Sequence, residues 1–325
     1  MRLDRYMAAC NAHYYATRDP FGRAGDFTTA PEIFQGFGEC LGLWAAAVWE
    51  SMGAPDALQL VELGPGRGTL LADALRAAGR AAPAFARALS VQLVETSPAL
   101  RAAQLAALPQ ATHHDSFADV PGGPAIILAN EFLDALPVRH LVRQDGGWAE
   151  RFVDASIAPI EVATTQAGLP DLPDGTWLEV APTALAVTQA IAARVVAMGG
   201  AALVIDYGHA SRGTGTTLQA LRQHRPEDPF ANPGEADLTA HVDFATAAAA
   251  AREAGAAIFG PVPMGSFLAA IGLPQRAEAL ARANPAQAGD LLAAATRLVS
   301  AAHMGTLFKA MAICHPSLPT PPGFA

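Results

Sequence analysis

The ten residues from Val61 to Leu70, VELGPGRGTL, constrain the fold of this chain more than any other segment. An apolar run ends in an acid, three glycines follow within five residues, and a helix-forming stretch comes next. Because glycine has no Cβ, such a turn can adopt left-handed conformations and lets the backbone approach a ligand closely. The order strand, glycine turn, helix predicts an α/β protein that holds a nucleotide-like ligand at this turn.

Other apolar segments alternate with helical patterns along the chain. Because each predicted strand is apolar on both faces, the pattern predicts a parallel sheet covered by helices on both sides. The composition of residues 209–241, which are rich in Gly, Pro, Asp and His, predicts a long ordered loop over the ligand edge. Residues 316–325 are predicted to form a frayed tail. Strands are predicted over 57–63, 89–95, 125–129, 201–206 and 304–313, with a short one before Asp115. Helices are predicted over 39–51, 69–78, 97–107, 182–198 and 264–298, the last with a break at Pro285.

Composition narrows the class of protein. Of the 325 residues 51% are hydrophobic and 16% charged, which favours a large core over disorder. The net charge of -9 argues against non-specific nucleic-acid binding, since phosphate neutralisation needs a basic surface. The near-exclusive use of arginine, with Lys309 as the single lysine, is typical of a GC-rich bacterial genome.

The cysteine spacing and the lengths of the apolar runs indicate where in the cell the protein is found. Cys10, Cys40 and Cys314 show no CxxC spacing, which fits a reduced interior, and the histidines show no metal-ligand spacing. No signal-peptide pattern stands at the N-terminus, and no apolar run reaches the roughly 18 residues that a membrane span needs. The sequence therefore predicts a cytoplasmic protein without a membrane span or a metal site.

The glycine spacing distinguishes between ligands. Gly64, Gly66 and Gly68 form GxGxG, whereas the dinucleotide fingerprint is GxGxxG. Glu62 precedes the turn, and Glu95 ends the next strand, where a carboxylate can accept hydrogen bonds from both ribose hydroxyls. An acid-framed turn suits the sulfonium and ammonium of S-adenosylmethionine better than a pyrophosphate. A ligand-free βα turn and an NAD-dependent oxidoreductase stay open as alternatives.

Further polar residues follow strands or precede helices. Since ligands bind at the carboxyl ends of parallel strands, several acids at such ends are expected to converge, although each alone fits a capping or solvated role. A helix beginning at Pro31, capped by the preceding threonines, would attract a ligand carboxylate such as that of a methionine moiety. The candidates are Thr28, Thr29 and Pro31, Asp115 and Ser116 for the adenine end, Asn130 and Glu131, Asp206, and Glu235, Asp237 and His241.

Five blocks together resemble the MidA family, which includes the mitochondrial complex I assembly factor 7 and bacterial homologues. The blocks follow the family order from about Asp19 to the final strand. Two segments depart from the family pattern, namely the shortened lead-in CNAHYYATRDP (10–20) and FQGFGE (34–39), where the family usually has SQMFGE. The blocks are GDFTTAPEI, VELGPGRGTL, NEFLDALPV, the GG-x-ALVIDYG segment at 199–208, and PGEADLTAHVDF.

The resemblance implies a Rossmann-like, seven-stranded class I methyltransferase sheet with a helical N-terminal cap and inserted segments. It implies one methyltransferase domain, divided into a cap (1–56), a cofactor-binding core (57–208), an inserted active-site loop (209–243) and a C-terminal part with a helical insertion (244–325). The implied cofactor is S-adenosylmethionine. The residues implied to bind it are Glu62, Gly64, Gly66, Gly68 and Glu95, and Asn130 and Glu131 are implied to form the active edge.

For the mitochondrial relative the resemblance also implies symmetric dimethylation of an arginine in a complex I subunit homologous to bacterial NuoD. A guanidinium stays charged in proteins, and carboxylates can bind and orient it through paired hydrogen bonds. We therefore expect Glu131 to be its principal partner, with Asp206, Glu235, Asp237 and His241 as helpers. Alternatives are another methyl acceptor, or an assembly factor that retains a cofactor pocket. A homodimer is also conceivable, although core packing explains the alanine-rich helices equally well.

Overall fold

The computed structural model describes residues 1–17 and 28–325, which form alternating helices and strands. The helices are α1 (Leu3–Thr17), α2 (Ala30–Ile33), α3 (Gln35–Ser51), α4 (Thr69–Ala81), α5 (Pro83–Ala88), α6 (Pro98–Ala107), α7 (Pro182–Met198), α8 (Phe244–Glu253), α9 (Met264–Ala270), α10 (Leu273–Ala283), α11 (Ala288–Val299) and α12 (Met304–Leu307). The strands are β1 (Leu58–Leu63), β2 (Leu89–Val94), β3 (Thr112–His114), β4 (Ala125–Asn130), β5 (Arg139–Gln144), β6 (Gly147–Val153), β7 (Pro159–Thr164), β8 (Trp177–Val180), β9 (Gly200–His209), β10 (Gln219–Arg222), β11 (Arg225–Glu227), β12 (Asp237–Thr239), β13 (Val242–Asp243), β14 (Ala257–Pro263) and β15 (Phe308–Cys314).

The central sheet has the strand order β3-β2-β1-β4-β9-β15-β14, and the two-residue β13 pairs with the end of β9. The strands from β3 to β9 are parallel, whereas β15 runs antiparallel to both of its neighbours. This arrangement confirms the predicted seven-stranded α/β sheet. Because β1, β2, β4 and β9 are parallel neighbours, their carboxyl ends meet at one edge.

Both faces of this sheet are buried, as the apolar strand pattern predicts. Leu60 and Leu128 pack with Trp44 of α3 on one face. Val61 and Ile127 pack on the other face, against apolar side chains of α7 and α8. Alternate residues of each strand thus pack against the helices on opposite faces of the sheet, which fixes the strand register.

Two smaller antiparallel sheets are inserted after β4 and β9. Residues 139–180 contain the sheet β7-β6-β5-β8, and 219–239 contain the sheet β11-β10-β12. The loop predicted over 209–241 is therefore wrong in part, because it contains strands of three or four residues. Their pairing joins distant positions such as Gln219 and Thr239, and strands this short leave too little periodicity to be found from sequence.

Two features near the C-terminus also differ from the expectation. The helical run at 264–298 is divided into α9, α10 and α11. The break at Pro285, between α10 and α11, is confirmed, whereas the break between α9 and α10 was not predicted. The first residues of the predicted last strand form α12. The tail is packed rather than frayed, since Trp44 donates its indole N–H to the Pro322 carbonyl at 3.1 Å and Phe324 packs on Phe267. The proline-rich composition of the tail does not predict this aromatic contact. Within residues 1–17 and 28–325, no helix is long and apolar enough to cross a bilayer.

Candidate active site

A cavity of about 820 Å³ lies at the carboxyl edge of the parallel strands. Its wall includes the residues that follow β1, β2 and β4, together with side chains of α1, β10 and β12. The edge predicted to bind a ligand is therefore concave, and it joins segments that lie far apart in the sequence.

The glycine turn has three left-handed residues. Gly64, Gly66 and Gly68 have φ values of 62°, 54° and 82°, a region that side chains with a Cβ rarely adopt. A Cβ at Gly64 would lie 2.8 Å from the Phe132 ring, so only glycine fits there. Gly64 and Gly66 line the cavity, whereas Gly68 starts α4 and faces Leu108 instead.

Two carboxylates border the turn, as predicted. Glu62 is only 3% exposed, and its Oε2 atom has no hydrogen-bond partner within the described residues. Burial raises the pKa of Glu62 to about 8. Oε1 of Glu95 accepts the backbone N–H groups of Thr96 and Ser97, both at 2.8 Å, while burial raises its pKa. Both side chains line the cavity.

Gln104 connects these two parts, although no sequence pattern singles it out. Its amide nitrogen donates to the Gly66 carbonyl at 2.6 Å and to Glu95 Oε2 at 3.3 Å. Its amide oxygen contacts the His113 ring nitrogen at 2.9 Å. The only sequence signal for Gln104 was a polar residue on the face of α6 that is buried. The predicted cap of this helix is confirmed, because Ser97 accepts the Leu100 N–H.

The start of α2 forms another part of the wall. Thr28, Thr29 and Pro31 line the cavity, but Thr29 makes no side-chain cap, so the predicted threonine cap is wrong at this residue. Glu131 Oε1 accepts the Ala30 N–H at 2.9 Å instead. A carboxylate of the chain itself therefore meets this helix start. The earlier residues of the GDFTTAPEI block, 25–27, lie outside the described residues.

The FQGFGE segment departs from the family pattern without opening the site. Phe34 is buried, and its ring fills the space that a side chain at position 36 would need. Gly36 therefore accompanies Phe34 for a packing reason. The lead-in at 10–20 is described only as far as Thr17, which ends α1.

The end of β4 places Asn130 and Glu131 in the cavity wall. Glu131 has a left-handed φ of 49°, a strained conformation for a residue with a side chain. Burial, together with the nearby charge of Asp134, raises the pKa of Glu131 to about 7. Asn130 donates to Glu131 Oε1 at 3.2 Å, and its own Oδ1 atom is buried without a partner in the described chain.

Asp206, predicted as a helper at the substrate, lies behind the wall. It is fully buried, and its Oδ2 atom accepts the N–H groups of Phe132, Leu133 and Asp134 at 3.2, 2.9 and 3.2 Å. Asp206 does not line the cavity. Its observed contacts fix the path of the turn after β4, so the geometry gives it a supporting position.

The remaining predicted acids divide between the cavity and its surroundings. Asp237 and His241 line the cavity, and Tyr15 donates its hydroxyl to Asp237 Oδ1 at 2.8 Å. Burial lowers the pKa of His241, whose ring packs edge-on against Tyr207. Glu235 is half-buried and does not line the cavity.

Asp115 and Ser116 lie outside the cavity wall. The Asp115 side chain is 82% exposed and forms an ion pair with Arg101 at 2.7 Å. Ser116 accepts the Ala118 N–H at 3.2 Å at the start of a short 3₁₀ helix. Their assignment to the adenine end stays a prediction.

Asp134 and Tyr207 also line the cavity, although sequence patterns did not single them out. Both stand inside recognised blocks, NEFLDALPV and IDYG, so membership of those blocks was the available signal. No group of three or more His, Cys, Asp or Glu side chains in residues 1–17 and 28–325 is arranged to hold a metal ion.

S-adenosylmethionine fits the side of the cavity formed by β1 and β2. The glycine turn leaves room for a ligand against its backbone, and the unpartnered Glu62 oxygen can accept from an ammonium. Glu95 retains acceptor capacity for ribose hydroxyls. These features satisfy the needs of a cationic ligand with a ribose.

Residues 40–262 match the family model described as "Putative S-adenosyl-L-methionine-dependent methyltransferase". The chain belongs to this methyltransferase family. A curated relative from Drosophila melanogaster, named protein arginine methyltransferase NDUFAF7 homolog, is 37% identical over 93% of this chain and 78% of its own length. The Homo sapiens protein arginine methyltransferase NDUFAF7 is 35% identical over 92% of this chain and 76% of its own length.

A solved structure agrees with the family assignment. A Burkholderia thailandensis protein crystallised with S-adenosyl-homocysteine is 28% identical, with a TM-score of 0.82 over 100% of this chain and 88% of that one. The fold and cofactor predictions are therefore confirmed: the chain is an S-adenosylmethionine-dependent methyltransferase, and the NAD alternative is set aside.

Proposed function

We propose that this methyltransferase modifies an arginine side chain of a protein substrate, with symmetric dimethylarginine as the product. The observation that carries the proposal is the set of buried carboxylates where β4 ends. Burial raises the pKa of Glu131 to about 7 and that of Asp134 to about 6, and both line the same cavity as the glycine turn. A guanidinium is a permanent cation that would offset the cost of keeping these carboxylates charged.

Different residues are proposed to bind the cofactor and the substrate. S-adenosylmethionine, held by Glu62, Gly64, Gly66 and Glu95, supplies a methyl group bound to a positively charged sulfur. Glu131 is the principal guanidinium partner, since the Ala30 N–H and Asn130 hold its carboxylate in place. Paired hydrogen bonds would localise the positive charge on one side of the guanidinium and aim its other nitrogen. Such orientation supplies much of the rate of a displacement reaction.

The remaining assignments rest on position and on the relatives. Asp237 and His241 are proposed to contact the substrate, because they line the cavity. The names of the curated relatives, protein arginine methyltransferases, support an arginine acceptor. The MidA resemblance supports a NuoD-like complex I subunit as the protein that carries this arginine. A cytoplasmic site of action is also proposed, and the absence of paired cysteine spacing favours it.

Labelled methyl transfer tests the proposal. The protein is incubated with methyl-labelled S-adenosylmethionine and cell extract, and mass spectrometry locates the label. We expect symmetric dimethylarginine in one protein. Label on another residue type would overturn the arginine assignment, and a factor that acts only in assembly would transfer no label.

Glu131→Gln tests the assigned partner. We expect transfer to fall at least about 100-fold, because the amide loses the charge-assisted hydrogen bonds that orient the guanidinium, while S-adenosylhomocysteine affinity stays unchanged. Glu278→Gln, an exposed acid on α10, is the charge-matched control. Full transfer by Glu131→Gln would remove Glu131 from this role.

A further inference from the structure

Asp134 combines a buried carboxylate with a position in the cavity wall. The residue is 6% exposed and lies on the turn after β4, three residues beyond Glu131. It lines the cavity, and its Oδ1 atom has no hydrogen-bond partner within the described chain. A buried carboxylate oxygen without a donor is costly, so the site is one at which a ligand donor gains free energy.

The backbone behind Asp134 is fixed. Asp206 Oδ2 accepts three consecutive N–H groups, the last of which belongs to Asp134 at 3.2 Å. The cost of burying Asp206 is therefore offset in part by contacts that hold this turn. A carboxylate supported from behind in this way is preorganised toward the cavity.

Tyr207 is one of the groups of the chain that donate to the Asp134 carboxylate. Its hydroxyl accepts hydrogen bonds from Gln219 Nε2, at 3.3 Å, and from Thr239. Because both neighbours donate, the Tyr207 proton is left to donate to the Asp134 carboxylate. One oxygen of Asp134 is thus occupied by the chain, and Oδ1 is left for a ligand.

We propose that Asp134 is a second acceptor-binding carboxylate, which holds the guanidinium cation through Oδ1 and accepts its proton during methyl transfer. This role rests on the proposed arginine function. Oδ1 takes the proton that the guanidinium nitrogen releases as its electron pair forms the C–N bond, while the carbon–sulfur bond breaks and leaves its pair on sulfur. The raised pKa of Asp134, about 6 because of burial, suits a proton acceptor near neutral pH.

Ligand-observed NMR with two isosteric probes tests this role without turnover. The full-length protein, saturated with S-adenosylhomocysteine, is titrated with propylguanidinium and with neutral propylurea. We expect the wild type to bind the cation about ten- to hundredfold more tightly, as for charge-assisted hydrogen bonds. Asp134→Asn should remove most of that preference, because the amide keeps the shape and loses the charge.

Controls separate this role from folding and from the proposed function. Glu278→Gln should retain the wild-type preference, and Asp134→Asn should retain S-adenosylhomocysteine affinity and cooperative unfolding. If Asp134→Asn fails to fold, Tyr207→Phe decides, since loss of the orienting donor should weaken the preference about threefold or more.

Each other outcome has a definite meaning. An unchanged preference in the folded Asp134→Asn protein, or in Tyr207→Phe where Asp134→Asn does not fold, overturns the role of Asp134 and leaves the arginine proposal intact. Propylammonium is titrated as a third probe. If the wild type binds it more tightly than propylguanidinium, the arginine acceptor is overturned and Asp134 stays a cation-binding residue. A wild type that does not distinguish the cations from propylurea overturns both.

Discussion

The two ends of the cavity are built in different ways. The cofactor end uses residues from consecutive βα units, with Glu62, the glycine turn and Glu95 within 34 positions of one another. The end proposed to bind the methyl acceptor, called the acceptor end, combines α1, the turn after β4, the end of β9 and the small β10–β12 sheet. These segments extend from position 3 to 239. One end is a local structure that the sheet presents, whereas the other exists only where distant segments pack together.

Hydrogen bonds show the same difference. At the cofactor end Gln104 connects the Gly66 carbonyl to Glu95, all within neighbouring elements. At the acceptor end Asn11 of α1 donates to the carbonyls of Ala135 and Leu238, and accepts the Leu238 N–H at 3.1 Å. Asn11 thus joins three distant segments, which means that the shape of this end depends on long-range order.

The largest expected effect comes from breaking the cofactor end. Gly66→Val should lower S-adenosylhomocysteine affinity by about 100-fold or more, because a left-handed valine is strained by about 1–2 kcal/mol and places its side chain at the cavity wall. Calorimetry measures the affinity. Gly53→Val is a matched control, since Gly53 also has a left-handed φ, of 85°, but faces open space. Equal affinities for both variants would contradict the assignment.

A smaller effect is expected when the acceptor end is loosened. Asn11→Ala leaves the Leu238 N–H without its partner, which costs about 1–3 kcal/mol. Methyl transfer should fall about tenfold, while S-adenosylhomocysteine affinity stays within about twofold. Asn284→Ala, which loses only a bond within its own helix end, is the control. A parallel loss of cofactor affinity in Asn11→Ala would show that the two ends are not independent.

The smallest effect concerns pH. Glu62 and Glu131 have pKa values of about 8 and 7, above the ordinary 4.5, because burial disfavours their charged forms. Their contribution to the stability of the ligand-free protein is full below pH 4.5 and is lost as pH rises through 7 to 8. A cationic group favours the ionised carboxylates, so its binding releases protons.

S-adenosylhomocysteine affinity should therefore rise about two- to fivefold between pH 6 and pH 8. Calorimetry in two buffers of different ionisation enthalpy measures the proton release. Glu62→Gln should flatten the profile, whereas Glu131→Gln should alter it less, because Glu131 belongs to the acceptor end. A pH-independent wild-type affinity would contradict a charged contact at Glu62.

Much of the cofactor end could be predicted from sequence. The turn at Gly64, Gly66 and Gly68 requires left-handed backbone, and glycine spacing reports that requirement directly. Strand ends carrying Glu62, Glu95, Asn130 and Glu131 were also readable, since buried parallel strands leave long apolar runs. Gln104 was missed because one buried glutamine on a helix face carries no periodic signal.

The acceptor end could be predicted only in part. Asp237 and His241 do line the cavity, but Asp206, also predicted there, turns its carboxylate toward three backbone N–H groups instead. A sequence cannot show whether a strand-end acid faces a cavity or a turn, because that depends on the path of the next segment. The small sheets were missed for a related reason, since their pairing is non-local.

By itself, the sequence determined the class of fold, the glycine turn and the edge of the sheet at which the cavity lies. Those features follow from local rules, namely strand periodicity, glycine conformation and the common direction of parallel strands. Only the tertiary structure decided that Asp134 has an unpaired oxygen, that Tyr207 donates to the same carboxylate, and that Asn11 joins α1 to Ala135 and Leu238. Burial and hydrogen-bond partnership arise from contacts between distant residues, and no local pattern encodes them.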